Sequence, residues 1–156
     1  MDEIVFRLFH PGDETAFREL NEAWIAPLFG IEQRDREVLG DPVAQILKPG
    51  GHIVFATVAG RPVGCCALVF MAEGEYELSK MTVAKSMRGS GAGRSLLAHT
   101  IGYARQIKAK RLYLETNTAL ADAIHLYESL GFRRLPPGPS HSGYSRSNLR
   151  MDLILT

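Results

Sequence analysis

The chain has 156 residues and carries 18 Lys and Arg against 17 Asp and Glu, a formal net charge of +1. Such a length suits one domain whose core buries roughly 70% of the unfolded surface, and the near-zero charge gives no global electrostatic reason to bind nucleic acid or an anionic membrane. No apolar run approaches the ~20 residues that span a bilayer, and Met1-Asp2-Glu3 lacks the basic-then-apolar order of a signal peptide, so the cytoplasm is the expected compartment.

Ile4 to Phe9 reads as a first strand, closed by Pro11-Gly12. A helix follows from about Asp13, with Phe17, Leu20, Trp24 and Ile25 on one apolar face and Pro27 ending or bending it. A second helical stretch is expected around Ile31 to Leu39, then a loop through Asp41-Pro42 and Lys48 to Gly51. His52 to Ala59 and Val63 to Met71 form a meander about the turn Gly60-Arg61-Pro62, and Glu75 to Val83 is a further strand. Gly91 to about Ala109 reads as a helix, Arg111 to Thr116 as a strand, Ala119 to Leu130 as a helix and Gly131 to Leu135 as a short strand. After a Pro/Gly/Ser-rich excursion from Pro136 to Ser147, Leu149 to Leu155 alternates as a last strand. There are no repeats and no linker, so residues 1–156 are read as one mixed α/β domain.

The two cysteines, Cys65 and Cys66, are adjacent. Strand neighbours point to opposite faces, so a disulfide between them would need unusual local geometry. The five histidines are scattered, and no metal site is expected.

The stretch Met81 to Leu97 is the most informative. A strand runs into a loop with three glycines in five positions, Gly89, Gly91 and Gly93, and a long amphipathic helix starts there. Glycines let successive N–H groups turn toward one centre, and the helix start adds unpaired N–H groups and a positive dipole end. That combination suits a phosphate, with Arg88 and Arg94 as charged flanks. A P-loop is excluded, because aligning its second glycine on Gly93 puts Arg88 where its first must stand and Arg94 where its lysine must stand. A dinucleotide Gly-x-Gly-x-x-Gly also fails: starting at Gly89 it meets Arg94, and starting at Gly91 it meets Leu96.

What fits is Arg-x-x-Gly-x-Gly at Arg88, Gly91 and Gly93, and here the chain resembles the GNAT superfamily of acetyl-CoA-dependent N-acetyltransferases. Glu77 to Val83 resembles that family's central strand, Leu112 to Thr116 its next strand, and Ala123 to Phe132 its closing helix and Leu-Gly-Phe turn. The resemblance is specific from Glu75 to Phe132. It implies an α/β (α+β) fold: a mixed, mostly antiparallel sheet of about seven strands, splayed at its centre, with helices on both faces.

The resemblance also assigns roles. The backbones of Met81 and Val83 would hold the pantetheine arm, and Gly89, Ser90, Gly91, Ala92, Gly93 and Arg94 would present N–H groups to the diphosphate. Lys85, Arg88 or Arg94 could reach the ribose phosphate, Arg88 being preferred because it opens the motif. Tyr127 would protonate the leaving thiolate, or else it simply packs on its helix's apolar face. Glu77 would take the proton of the attacking amine directly or through water, with Glu75 as a competitor and a plain charged strand residue as the alternative. A backbone N–H near Met81 would polarise the thioester carbonyl. Strand alternation puts Glu77, Ser79, Met81 and Val83 on one face and Tyr76, Leu78, Lys80 and Thr82 on the other.

One position departs from the family's pattern: Leu120 stands where many members carry Asn. Asn117 either takes over a cofactor contact or caps the helix. On the acceptor side, Trp24, Phe29, Tyr76 and Tyr144 could line the site and Glu22, Glu32 or Asp35 could attract a cationic amine, although the first set reads equally as core and the acids equally as surface. The segment His141 to Arg146 is either a mobile lid or an ordinary loop. The expected reaction is direct attack of a small-molecule or peptide amine on acetyl-CoA in a ternary complex, in a protein that could pair as a homodimer. A non-catalytic acyl-CoA-binding module of the same fold is the alternative, and the presence of both Tyr127 and Glu77 argues against it.

Overall fold

The computed structural model describes residues 3–155, so Met1 and Asp2, on which the leader reading rests, lie outside the described residues. Seven strands form one sheet in the order β1-β2-β3-β4-β5-β7-β6. They are β1 (Ile4–Leu8), β2 (His52–Val58), β3 (Arg61–Ala72), β4 (Glu75–Val83), β5 (Arg111–Thr116), β6 (Arg133–Arg134) and β7 (Leu149–Ile154). Every neighbouring pair is antiparallel except β4 with β5. The helices are α1 (Glu14–Leu28), α2 (Gln33–Gly40), α3 (Ala92–Gln106) and α4 (Ala121–Ser129). Among the described residues no helix is long and apolar enough to cross a membrane.

Period-two alternation divides the core into two layers. Val54 and Ala56 of β2 and Cys66 and Leu68 of β3 face α3 and α4, where Leu96, Leu97, Ile101, Ala104 and Ile124 cover them. Their sequence neighbours Ile53, Phe55, Cys65 and Ala67 face the other way, against Phe17 of α1 and Val38 and Leu39 of α2. The adjacent cysteines therefore belong to different layers, and both are buried free thiols. Phe17 and Phe55 are fully buried, each worth about 1.5–3 kcal/mol relative to exposure.

Three local features differ from the sequence expectation. The β2–β3 turn is the pair Ala59-Gly60, with φ of 51° and 79°, and Arg61 and Pro62 already belong to β3. Two successive positive φ values match the twist of a tight hairpin, which a three-residue turn would not. Val43–Leu47 is a π-helical turn rather than loop, and it buries Ile46 under the α1/α2 layer. The third feature, a bulge in β4, shapes the site.

Candidate functional site

β4 and β5 pair only from Glu75↔Arg111 to Glu77↔Tyr113. Beyond that point the two strands separate, leaving the β5-side edge of Leu78 to Val83 without a partner strand. A cleft of about 520 Å³ opens in the gap. Its walls come from β4, the end of β5, the start of α4, the end of α1 and the segment 142–147. The expected splay is thus present.

Within β4, Lys80 has φ +53°, and the register against β3 slips between Cys65 and Ala67. One extra residue on β4 is a β-bulge, which leaves the ladder irregular and re-aims the side chains after it. The simple alternation expected for this strand fails here for that reason. Glu77 and Ser79 face the α2 side, lining a second cavity of about 210 Å³ with Val38 and Ile46. Met81 and Val83 instead pack with Tyr76 and Leu78 on the α3/α4 layer. The bulge also swings Lys80 inward, to 6% exposure.

Glu77 lines both the cleft and the second cavity. It is 6% exposed, and burial, reinforced by the neighbouring Glu115 carboxylate, pushes its carboxyl up to about 7. Glu75, its sequence competitor, is instead held by Arg111 at 3.1 Å and does not line the cleft. Tyr127 reaches the same cleft from α4, on the opposite face of the sheet. Burial raises its phenol above the ordinary value, and among the described residues its hydroxyl makes no hydrogen bond within the protein. A poised carboxyl and an uncommitted phenol thus flank the gap from its two sides.

The glycine loop follows a 3₁₀ turn at Lys85–Met87. Gly89 and Gly91 take φ of +78° and +85°, the left-handed region, where a side chain would be strained. Gly91 caps α3, and Ser95 is the first residue whose amide bonds back to it. Among the described residues the amides of Gly89, Gly91, Gly93 and Arg94 have no protein partner, while Ser90 and Ala92 bond weakly at 3.4 Å within the loop. Four unpaired amides at the positive end of a 15-residue helix fit a diphosphate.

The flanking cations divide. Arg88 lines the cleft and also a neighbouring hollow beside α1, which Val83 and Lys85 share. Arg94 turns away from the cleft and donates to Ser129 Oγ at 2.7 Å, tying α3 to the end of α4. Met81 lines the cleft and Val83 does not. Asn117 lines the cleft with both ends of its amide in use: Nδ2 donates to the Arg146 carbonyl at 2.7 Å, and Oδ1 accepts from the Ala119 amide at 2.8 Å. It does not cap α4, whose cap position is Leu120.

The acceptor-side expectations change most. Trp24, Phe29 and Tyr144 line the cleft, but Tyr76 faces the other layer, packing against His52 and Phe70. Glu22 pairs with Arg18 along α1. Asp35 is fully buried and no cation from outside can use it: Lys80 Nζ donates to it at 2.7 Å, and Arg146 grips both oxygens at 2.8 Å. Its carboxyl also closes the capping box of α2, accepting from the Glu32 amide at 2.9 Å. Burial pushes the Asp35 carboxyl up, but Arg146 and Lys80 outweigh it and hold it well below its ordinary value. Tyr144 completes the cluster, accepting from Lys80 Nζ at 2.9 Å while the Lys80 and Arg146 cations both lie 4.2 Å from its ring centroid.

The segment His141 to Arg146, with Ser140 before it, is tied to the body of the domain by hydrogen bonds. Glu115 accepts from Ser140 Oγ, the His141 and Ser142 amides, Ser142 Oγ and Tyr113, which together hold its carboxyl low against the effect of burial. Further on, Ser145 donates its amide to Glu32 at 3.0 Å and Arg146 reaches Asp35. The segment is a strap, fastened at both ends, that forms the outer wall of the cleft. Nothing local in the sequence signals that Lys80, Arg146 and Glu115 meet.

Residues 14–132 match the sequence profile of the acetyltransferase (GNAT) family. The Escherichia coli uncharacterised N-acetyltransferase YjgM is 31% identical over 115 residues, 71% of this chain and 69% of its own length. A GNAT-family acetyltransferase structure from Staphylococcus aureus Mu50 superposes with a TM-score of 0.87 at 22% identity, covering 99% of this chain and 100% of that one. The structure of yncA from Salmonella typhimurium, solved with its cofactor acetyl-CoA, superposes with a TM-score of 0.74 at 21% identity, covering 99% and 95%.

Proposed function

This chain belongs to the GNAT acetyltransferase family, whose general activity is acetyl transfer from acetyl-CoA, and on that premise we propose that it moves the acetyl group to a primary amine by direct attack in a ternary complex. The observation that carries the proposal is the pair flanking the splay: Glu77 raised to about 7 on one side, and a Tyr127 hydroxyl free of protein partners on the other.

Acetyl-CoA supplies the thioester. Four free amides, those of Gly89, Gly91, Gly93 and Arg94, bind its diphosphate, with Ser90 and Ala92 completing the loop's turn. Arg88, the cation that lines the cleft, serves the phosphates, while Arg94 contributes its amide and uses its guanidinium to brace α4. The open edge of β4 receives the pantetheine as an added strand, through the backbones of Met81 and Val83. The bulge at Lys80 interrupts the ladder beside Met81, and the Met81 amide polarises the thioester carbonyl. Asn117 acts by holding the Arg146 carbonyl, and with it the strap.

An alkyl amine arrives protonated at neutral pH and must lose a proton to attack. Glu77 takes that proton, directly or through water, because a carboxyl near 7 is both partly ionised and basic enough to accept it. As the C–S bond breaks, the Tyr127 hydroxyl gives its proton to the sulfur. Cys65 and Cys66 are buried, with thiols raised by desolvation, and carry no acyl group.

Tyr127→Phe tests the scheme. Its turnover should fall by a factor of about 10²–10⁴, the usual worth of a general acid. Acetyl-CoA should still raise the melting temperature of the variant as it does that of the parent. An unchanged rate would remove Tyr127 from the mechanism, and no stabilisation of the parent at millimolar acetyl-CoA would remove the donor site.

A further inference from the structure

The second cavity lies beyond Glu77 as seen from the thioester side, and its chemistry is uneven. Glu77 and Ser79 line it from β4, Val38, Ile46 and Val69 make it partly apolar, and Arg34, whose charge acts on Glu77, is linked to Gln45 by a 2.9 Å hydrogen bond. Arg34 uses only Nη1 within the protein, on Gln45 and, at 3.5 Å, on Glu37. Among the described residues its Nε and Nη2 have no partner, so the edge of the guanidinium that grips a carboxylate with two parallel bonds is uncommitted. The Glu37 contact is a half-exposed pair, of the kind that contributes little.

Three nearby carboxylates are spent within the protein. Asp35 is held by Lys80 and Arg146, Glu32 by Arg146 and the Ser145 amide, and Glu115 by the strap. Among the described residues Glu77 is the one carboxylate that lines this cavity, and a second cationic centre on the same ligand would meet Arg34 instead. A polyamine is a poor match for such a cavity. A single amine joined through a short apolar stretch to an anion matches the one carboxylate and the one guanidinium of this lining.

We infer that the acceptor is a small amino-carboxylate, its amine at Glu77 and its carboxylate on the guanidinium of Arg34. This rests on the acetyltransferase reading above and narrows it to a substrate class. Arg34 is the specificity residue: it touches no reacting atom, and its role is to select and orient.

The test compares α- and ω-amino acids with their primary amides and with the matching amines that lack the carboxyl, following free-thiol release from acetyl-CoA. The free acids should be preferred at least tenfold in kcat/KM. In Arg34→Gln the preference should vanish through a higher KM for the acids, with the KM for acetyl-CoA and the melting temperature unchanged, and Arg34→Lys should restore part of it. Amides or simple amines turned over as well as the acids would overturn the inference, as would a preference that survives in Arg34→Gln. If no member of the panel is acetylated while acetyl-CoA still raises the melting temperature, the acceptor class is wrong and the donor site stands. If acetyl-CoA does not stabilise the protein, the acetyltransferase reading fails first.

Discussion

The side proposed for the donor is built from consecutive backbone: the loop Arg88 to Arg94, which caps α3 and meets the cleft at Arg88, and the open edge of β4. The acceptor side is made from charged side chains brought together over long separations, Arg146 reaching Asp35 across 111 residues and Tyr144 reaching Lys80 across 64. The two constructions answer different needs. Diphosphate is the same in every turnover and can be bound by amides whose direction is fixed by glycine φ angles. An acceptor is particular to the enzyme, and a wall of paired side chains can be re-cut one residue at a time. The first kind of site tolerates little change in its glycines, and the second depends on every charge keeping its partner.

The comparison is broken most severely at Asp35. Asp35→Asn should destabilise the protein by about 3–5 kcal/mol, because Lys80 and Arg146 would keep buried charge without its counterion. Denaturant unfolding at pH 7 measures it. The same carboxyl gives the fold a pH dependence of known sign. Its native pKa lies below the unfolded value, so its stabilisation is complete above the ordinary carboxylate range and is lost as pH falls toward the native pKa. The variant should therefore differ least from the parent in acid. Loss of Asp35 should also loosen the strap, so that limited proteolysis cuts within residues 140–146 sooner.

A smaller effect is expected at the loop. Gly91→Ala meets no neighbouring atom, since nothing lies within 4 Å of the added Cβ. The cost is conformational, about 1–2 kcal/mol for holding an alanine at φ +85°. The sharper consequence is functional: relief of that strain rotates the amides, so acetyl-CoA should bind at least several-fold more weakly while the acid/amide preference of the acceptor side stays as it was. An equal loss on both sides would show that the two halves are not independent.

The same division explains what the sequence disclosed. The roles proposed for Gly91 and Gly93 rest on local backbone geometry, and local geometry leaves a short motif, which Arg88 opens. The strand and helix periods were likewise local, so β4, β5 and α3 were legible to within a few residues. The bulge was not, because Lys80 carries a positive φ that no lysine signals, and it turned the expected face of Met81 and Val83 around. Nor was the strap: Ser140 to Arg146 has the composition of a loose loop, and only the folded chain supplies Glu115, Asp35 and Lys80 to hold it. Asp35 itself reads as a surface acid on a polar helix, yet it is fully buried.

The central claim is that Glu77 is the base. Its pKa is raised from an ordinary 4.5 to about 7, so the fold favours the neutral acid and loses stability as pH rises through that window. Glu77→Gln, which mimics the neutral acid, should consequently gain in melting temperature relative to the parent above pH 7. The most direct measurement is kcat/KM against pH for the parent and for Glu77→Gln, with an amine that the parent acetylates. The account predicts a limb in the parent rising with a midpoint near 7, and in the variant a rate lower by about 10² with that limb gone. The limb set by the amine's own proton should remain in both. An identical limb near 7 in the two proteins, or an undiminished rate in the variant, would contradict it.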